Sequence, residues 1–215
     1  MPSRRIGPKK GVNRRCLVSH NSDADAMSFG ESLLERDFIK FCNCIPNVMK
    51  VEYQPRCLAY NYNGKRRRYF PDFLISTRDG NKILVEVKPS NRLDDEENLI
   101  KFKVGEMFCE QKGWTFKVIS DSDLYRGHLK HNVNLLLEVQ RINIETEDLF
   151  IIYQMIQNFG PLRIKDLHNA FSELDTGVIN ASVYKLLLNQ LCKTDLINQL
   201  LTEVSIIEVN EKKEW

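Results

Sequence analysis

Two phrases, Tyr69-Phe70-Pro71-Asp72-Phe73-Leu74-Ile75 and Leu84-Val85-Glu86-Val87-Lys88-Pro89, decide how this chain is read. Each has the apolar, β-branched character of a strand, and a turn at Asp79-Gly80 is short enough to make them neighbours. In the second strand Ile83, Val85 and Val87 share one face and Leu84, Glu86 and Lys88 the other, which predicts one apolar face and one candidate functional face. Glu86 and Lys88 then project about 6–7 Å apart on the same side. Asp72 enters from the adjoining strand, so two carboxylates and a lysine converge. Carboxylate oxygens of Asp72 and Glu86, with the backbone carbonyl of Val87, suit a hard cation such as Mg²⁺ that prefers octahedral oxygen ligands and keeps several waters. Lys88 is placed to orient an attacking water and balance charge on a phosphorus centre. Phosphodiester hydrolysis is the chemistry this set of groups implies.

Each piece alone has a bland explanation: Pro-Asp can begin a strand, and Glu-x-Lys can be a solvated ion pair. Their short separation inside an α-β-β-β-α-β order favours the catalytic reading. That order comes from working outward. Upstream, Ser28 with Glu31 three residues later reads as a capping box, followed by the apolar stripe Leu33, Leu34, Phe38, Phe41 and Ile45 of a helix that Pro46 ends. Val48 to Gln54 reads as a strand, and Leu58 to Tyr62, an Asn63-Gly64 type I′ turn and a long return run from Arg66 to Ser76 read as a hairpin. Downstream, Asp94 and Asp95 cap a helix to Lys112, Gly113 closes it, and Trp114 to Ile119 is a further strand. A helix is expected from Asp121 or Ser122 to about Val139, then three short helices near 146–158, 163–171 and 178–192, and an alternating Leu200 to Val209 that forms a hairpin or wing.

The 215 residues, 42% apolar and 28% charged, have an ordinary globular balance that excludes disorder and a disulfide-dense miniprotein. No stretch approaches the roughly 18 apolar residues of a membrane span, and no signal peptide is expected. Cys16, Cys42, Cys44, Cys57, Cys109 and Cys192 lack paired metal-ligand spacing, and the four histidines are scattered. The net charge of +2 divides as +6 over residues 1–20, 0 over 21–140 and −4 over 141–215. A basic arm therefore fronts the molecule. Its Arg4, Arg5, Lys9, Lys10, Arg14 and Arg15 have no acid among them and are candidates for DNA phosphates, as is the run Lys65-Arg66-Arg67-Arg68 beside the Asn63-Gly64 turn. The acidic last segment faces protein rather than polyanion: its Val178 to Cys192 helix offers only Asn180, Lys185, Asn189 and Gln190 to a groove. Three regions are expected: an extended arm at 1–27, an α/β domain at 28–140 and a helical, winged-helix-like, partner-docking domain at 141–215.

The two opening phrases, with Gly30-Glu31-Ser32-Leu33-Leu34-Glu35-Arg36-Asp37-Phe38 and Tyr53-Gln54-Pro55 before them, resemble the PD-(D/E)xK nuclease superfamily and, within it, the TnsA-like endonuclease subunits of heteromeric transposases. The similarity covers about residues 4–120. It implies a restriction-endonuclease-like αβββαβ core in which Asp72, Glu86 and Lys88 are catalytic and a helix glutamate completes the Mg²⁺ site, with Mn²⁺ able to substitute. Glu31 and Glu35 both qualify. Glu35 is preferred, because Glu31 is already explained as the capping partner of Ser28. The resemblance further implies an endonuclease that cuts the 5′-end, non-transferred strand of double-stranded DNA at transposon ends, working with a TnsB-like recombinase and a TnsC-like AAA+ ATPase in the bacterial cytoplasm. Two other roles stay open: a stand-alone restriction or repair nuclease of the same superfamily, and a non-catalytic DNA-binding assembly subunit.

Overall fold

The structure, a computed structural model, describes residues 16–19, 27–30 and 32–212. It divides into two compact units, one ending at Leu124 and the other beginning at Tyr125.

In the first unit, strands β1 (Cys16–Ser19) and β2 (Met27–Gly30) pair antiparallel, with Leu17 opposite Phe29. The ordered chain therefore begins earlier than the extended arm of 1–27 allows, and Ser28 is a strand residue. Helix α1 (Leu33–Asn43) is capped four residues later than expected. Ser32 is the N-cap, its Oγ accepting from the Glu35 backbone N–H at 3.1 Å and donating to Glu35 Oε1 at 3.1 Å. The sequence holds two Ser-x-x-Glu frames in succession, and strand pairing of 27–30 leaves only the second free to cap.

A four-stranded sheet follows, formed by β3 (Val48–Tyr53), β6 (Phe73–Thr77), β7 (Lys82–Val87) and β8 (Thr115–Ile119) in the order β3-β6-β7-β8, antiparallel except for the parallel pair β7–β8. Inserted between β3 and β6 is a separate hairpin, β4 (Leu58–Tyr62) and β5 (Lys65–Tyr69), turned by Asn63 at φ 50° and Gly64 at φ 70°, as a type I′ turn requires. The expected unbroken run from Arg66 to Ser76 is thus two strands in two sheets. Pro71, which has no N–H to give a ladder, sits at the break.

Helices cover both faces of the sheet. Leu34, Phe38, Ile39 and Cys42 of α1 pack with Val51, Phe73, Ile75, Val85 and Val87. Leu74 and Leu84, on the other face, pack with Leu58, Tyr69 and Cys109, the last from α2 (Glu96–Lys112). So the second face of β7 is as buried as the first near Leu84, and only its end bears the functional groups. Gly113 closes α2 in the left-handed conformation at φ 66°, and Gly105 lets the helix lie directly on the Phe116 ring of β8, where a Cβ would collide. Asp95 occupies the N-cap without a side-chain bond to the helix backbone, bonding Arg92 and Asn98 instead. The order α1, β3, β6, β7, α2, β8 is mixed α/β, as expected.

The expected single helix to Val139 is two: α3 (Asp121–Leu124), which belongs to the first unit, and α4 (Leu129–Glu138), which opens the second. The second unit continues with α5 (Thr146–Phe159), β9 (Leu162–Arg163), α6 (Ile164–Ala170), α7 (Thr176–Leu188), β10 (Cys192–Lys193) and β11 (Ile206–Val209). Its sheet has the order β10-β11-β9, all antiparallel. Ile152, Ile156, Ile164, Leu167, Ile179, Val183, Leu186 and Ile207 fill its interior. The division expected near 141 falls instead at 124/125. The reason is Asn132 of α4, fully buried, whose Nδ2 donates to the carbonyls of Leu196 and Gln199 at 2.8 Å each and whose Oδ1 accepts from Leu201 N–H at 2.9 Å. Those bonds also explain why Leu200 to Leu201 is not a strand: its backbone is held by a side chain, and β11 begins only at Ile206. Among the described residues no helix is long and apolar enough to cross a membrane.

Candidate active site

Asp72 stands at the entry to β6, just beyond the Pro71 break. Its Oδ2 accepts from the Val87 backbone N–H at 2.8 Å, and its own carbonyl accepts from Gln54 N–H at 2.7 Å. Gln54 reaches that bond with φ 42°, the left-handed region, although the residue before a proline ordinarily prefers extended backbone. Strain of this kind, on the order of 1–3 kcal/mol, persists only where surrounding structure enforces it. Here it aligns the end of β3 with Asp72.

The two-residue period of β7 brings Glu86 and Lys88 to the same side, as read from the sequence, and the pair is in contact: Lys88 Nζ lies 2.9 Å from Glu86 Oε1. Glu86 is almost fully buried, at 3% exposure, and its second oxygen is held too, Oε2 accepting from the Tyr69 hydroxyl at 2.8 Å. Tyr69 is the residue that sequence reasoning missed. It stood inside the quoted motif, yet nothing in its spacing says that its ring crosses from the hairpin to reach β7.

The electrostatics follow from this crowding. Burial first, then the charges of Glu86 and Glu35, push the Asp72 carboxyl well above its ordinary range, against the opposing effects of Lys88 and the Val87 N–H. Desolvation works to lower Lys88, but the charge and hydrogen bond of Glu86, followed by the charge of Asp72, outweigh it and raise the ammonium above its usual value. Burial, and then the charge and hydrogen bond of Glu86, also raise Tyr69, so its proton stays on the phenol. Glu35, buried at 9% on the first turn of α1, comes near enough for its charge to act on Asp72. The structure therefore gathers Asp72, Glu86, Lys88 and Glu35. Glu31 and the arm residues Arg4, Arg5, Lys9, Lys10, Arg14 and Arg15 lie outside the described residues. Lys65, Arg66, Arg67 and Arg68 are exposed along β5.

Carboxylates that repel one another around a partly buried aspartate are the donor chemistry a divalent cation relieves. Among the described residues, however, no three His, Cys, Asp or Glu side chains form a ready metal cluster.

A mixed sheet flanked by helices, with an aspartate and a Glu-x-Lys pair on neighbouring strands, is consistent with an α/β nuclease core. Residues 45–121 match the family model described as TnsA-like endonuclease N terminal, which supports a TnsA-like endonuclease of the restriction-endonuclease-like superfamily. The match contains Asp72, Glu86 and Lys88 and supports a nuclease activity related to transposition. It begins after α1 and ends before Tyr125, so Glu35 and the whole of the second unit lie outside it. No curated protein matches the chain.

Proposed function

We propose that this chain is the metal-dependent endonuclease subunit of a heteromeric cut-and-paste transposase, hydrolysing the 5′-end, non-transferred strand of double-stranded DNA at transposon ends. The observation that carries the reading is the contact set Tyr69–Glu86–Lys88 beside Asp72, inside the segment that matches a transposon endonuclease domain. Asp72, Glu35, the Val87 carbonyl and, after release from one of its two partners, Glu86 would hold Mg²⁺ or Mn²⁺. When bound, such an ion polarises a phosphoryl oxygen and lowers the pKa of water. The chain's own part is clear without it: Lys88, kept charged by Glu86, stands ready to orient a water and to offset negative charge gathering on the phosphorus.

The second unit serves a different purpose in this reading. We read the order α5, β9, α6, α7, β10, β11 as a winged-helix-like module that docks a TnsB-like recombinase or TnsC-like AAA+ ATPase in the bacterial cytoplasm. Helix α7 has little to give a DNA groove. Ile179, Ala181, Ser182, Val183, Leu186 and Leu187 are buried, Asn180 is bonded to His168 at 2.8 Å, and Asn189 and Gln190 lie past its last turn. Apolar Phe159, Val204 and Ile206 are exposed, as on a surface made for protein.

Reconstitution tests both parts. The full chain, with a candidate TnsB-like recombinase and TnsC-like ATPase, is incubated with a plasmid bearing the element's ends. Nicking of the 5′ strand that needs Mg²⁺ or Mn²⁺ and is lost in Asp72→Ala and Lys88→Ala supports the reading. Cleavage by the chain alone at unrelated sites would make it a stand-alone nuclease, and undiminished nicking by either variant would reduce it to an assembly subunit. A docking fragment must begin at Tyr125, since one begun at 141 lacks Asn132 and the bonds that hold 196–201.

A further inference from the structure

The β4–β5 hairpin is a two-stranded ribbon outside the main sheet, and its two faces differ. The register pairs Leu58 with Tyr69, Ala59 with Arg68, Tyr60 with Arg67, Asn61 with Arg66 and Tyr62 with Lys65. Strand alternation then puts Leu58, Tyr60, Tyr62, Lys65, Arg67 and Tyr69 on one face. That face is committed to α2. Leu58 and Tyr69 are buried there, the Tyr62 hydroxyl donates to Glu96 Oε1 at 2.7 Å, and the Arg67 guanidinium lies 5.7 Å from the centre of the Tyr62 ring. Helix α2 opens with Glu96 and Glu97, and the Glu97 carboxyl is held low by Lys101 and, to a smaller extent, by Arg67. An acid of α2 thus already attends Arg67 on this face.

Ala59, Asn61, Arg66 and Arg68 form the opposite face. Neither strand carries an acid, and neither Arg66 nor Arg68 makes an ion pair with a described carboxylate. A hollow of about 350 Å³ is lined by Ala59, Tyr60, Asn61 and Arg66. Two arginines two residues apart on a strand stand about 6–7 Å apart, each a fork suited to phosphate. No large apolar side chain interrupts them, so the anchor that a protein interface needs at its centre is missing. A twisted two-stranded ribbon also has the width to enter a major groove.

We propose that this outward face is where duplex DNA lies during cleavage, with Arg66 and Arg68 on phosphates and Asn61 beside them, while Lys65 and Arg67 serve the α2 side. The inference rests on the nuclease reading and narrows it from a run of four basic residues to an alternating pair. The ribbon is also tied to the site. Tyr69 directly follows Arg68, and its hydroxyl is fastened to Glu86, so DNA gripped at Arg68 has a fixed relation to Asp72 four residues on.

The test uses the full chain and a fluorescein-labelled duplex, followed by anisotropy from roughly 50 to 300 mM salt, with Mn²⁺-supported nicking measured in parallel in the reconstituted mixture described above. R66A/R68A should weaken binding at least about 10-fold and make the slope of log K against log salt shallower by about 1.8, two phosphates' worth. K65A/R67A should lose less than half as much of each. R66Q/R68Q, which keeps strand-compatible side chains, repeats the loss if misfolding of the alanine pair is suspected. Equal losses in both pairs, or a larger loss in K65A/R67A, would overturn the assignment while wild-type nicking leaves the nuclease reading standing. A wild-type chain that binds no duplex overturns the assignment, and a reconstituted mixture that nicks no end overturns the nuclease reading.

Discussion

The two units of this chain bury polar groups for different reasons. In the first, beside the neutral Gln54, Thr77, Asn98 and Ser120, the carboxylates Glu35, Asp37 and Glu86 are buried at 9%, 2% and 3% exposure; in the second, the buried polar side chains are Asn132, Ser182 and Ser205, all neutral. The second set is bonded to backbone. Ser182 Oγ donates to the Val178 carbonyl, Ser205 Oγ accepts from Thr202 N–H and donates to the Leu200 carbonyl, and Asn132 holds three backbone groups. Asn132 and Ser205 fix loop backbone, and Ser182 bonds back one turn within α7. Glu86 instead bonds to the side chains of Tyr69 and Lys88, and Glu35 loads charge onto Asp72. Burying a carboxylate costs several kcal/mol unless partners offset it; Asp37 lies near Arg36 and Lys40 of its own helix, but keeping Glu35 and Glu86 beside Asp72 gives up stability for chemistry, whereas the second unit is packed for shape.

The largest effect that would break this contrast concerns Asp72. Asp72→Asn keeps an acceptor for the Val87 N–H but removes the charge, and nicking should fall at least about 10³-fold, the scale of losing a preorganised electrostatic contact. Stability should move the opposite way. The folded carboxyl titrates above its unfolded value, so its charged form disfavours the fold at neutral pH, and wild-type stability recovers as pH falls through that raised pKa. Asn at this position removes the penalty and flattens the dependence. In metal-free buffer the melting temperature of the variant should exceed that of the wild type at pH 7, with the gap closing in acid; a lower melting temperature at pH 7 would show that Asp72 is structural. Glu35→Gln should share the loss of nicking.

Asn132→Ala is the counterpart in the second unit. It strands two carbonyls and an N–H in the interior, a loss of about 2–3 kcal/mol and on the order of 10 °C for a unit of this size. Thermal unfolding of a 125–215 fragment measures it. A shift within 2–3 °C, or about 0.5 kcal/mol, would mean that water takes over the three bonds.

What could be read in advance divides along the same line. The strands at 48, 58, 82 and 115, helix α2 and the Asn63-Gly64 turn are local patterns, and they stand in the structure within a residue or two. The contact of Glu86 with Lys88 was legible because Glu-x-Lys on a strand needs only the pleat to share a face. Tyr69 and Asn132 were not legible, since their bonds span 17 and 64 to 69 residues and no periodicity reports them. The two Ser-x-x-Glu frames were locally equivalent, and only long-range pairing of 27–30 with 16–19 selects between them. That selection also removes the original reason for preferring Glu35: it is Glu35, not Glu31, whose backbone and side chain meet the helix cap. Its charge on Asp72 now supports the choice.

Tyr69→Phe probes the link between hairpin and site. The ring still fills its place beside Leu58 and Leu84, so the fold should be unchanged, while Glu86 loses one of two partners. A charged hydrogen bond of about 1.5 kcal/mol translates into roughly 10-fold slower nicking at saturating DNA, with the DNA concentration for half-maximal rate unaltered. A change confined to that concentration would place Tyr69 in DNA binding instead of in positioning Glu86.

Ser32→Ala should have the smallest effect, and it separates the two roles that meet at Glu35. Ser32 Oγ accepts from the Glu35 N–H, the helix cap, and also donates to Glu35 Oε1. Losing the cap costs about 1 kcal/mol. If the second bond merely accompanies the first, nicking stays within about threefold of wild type, because Glu35 remains on the first turn of α1 with its charge near Asp72. Glycine at the same position retains helix-start geometry for only a few tenths of a kcal/mol but deletes the hydroxyl just as alanine does. Nicking that falls equally in Ser32→Ala and Ser32→Gly, despite their different stabilities, would show that the hydroxyl orients Glu35 for the reaction. Nicking that follows stability would leave Ser32 a cap alone, and Glu35 positioned by the helix itself.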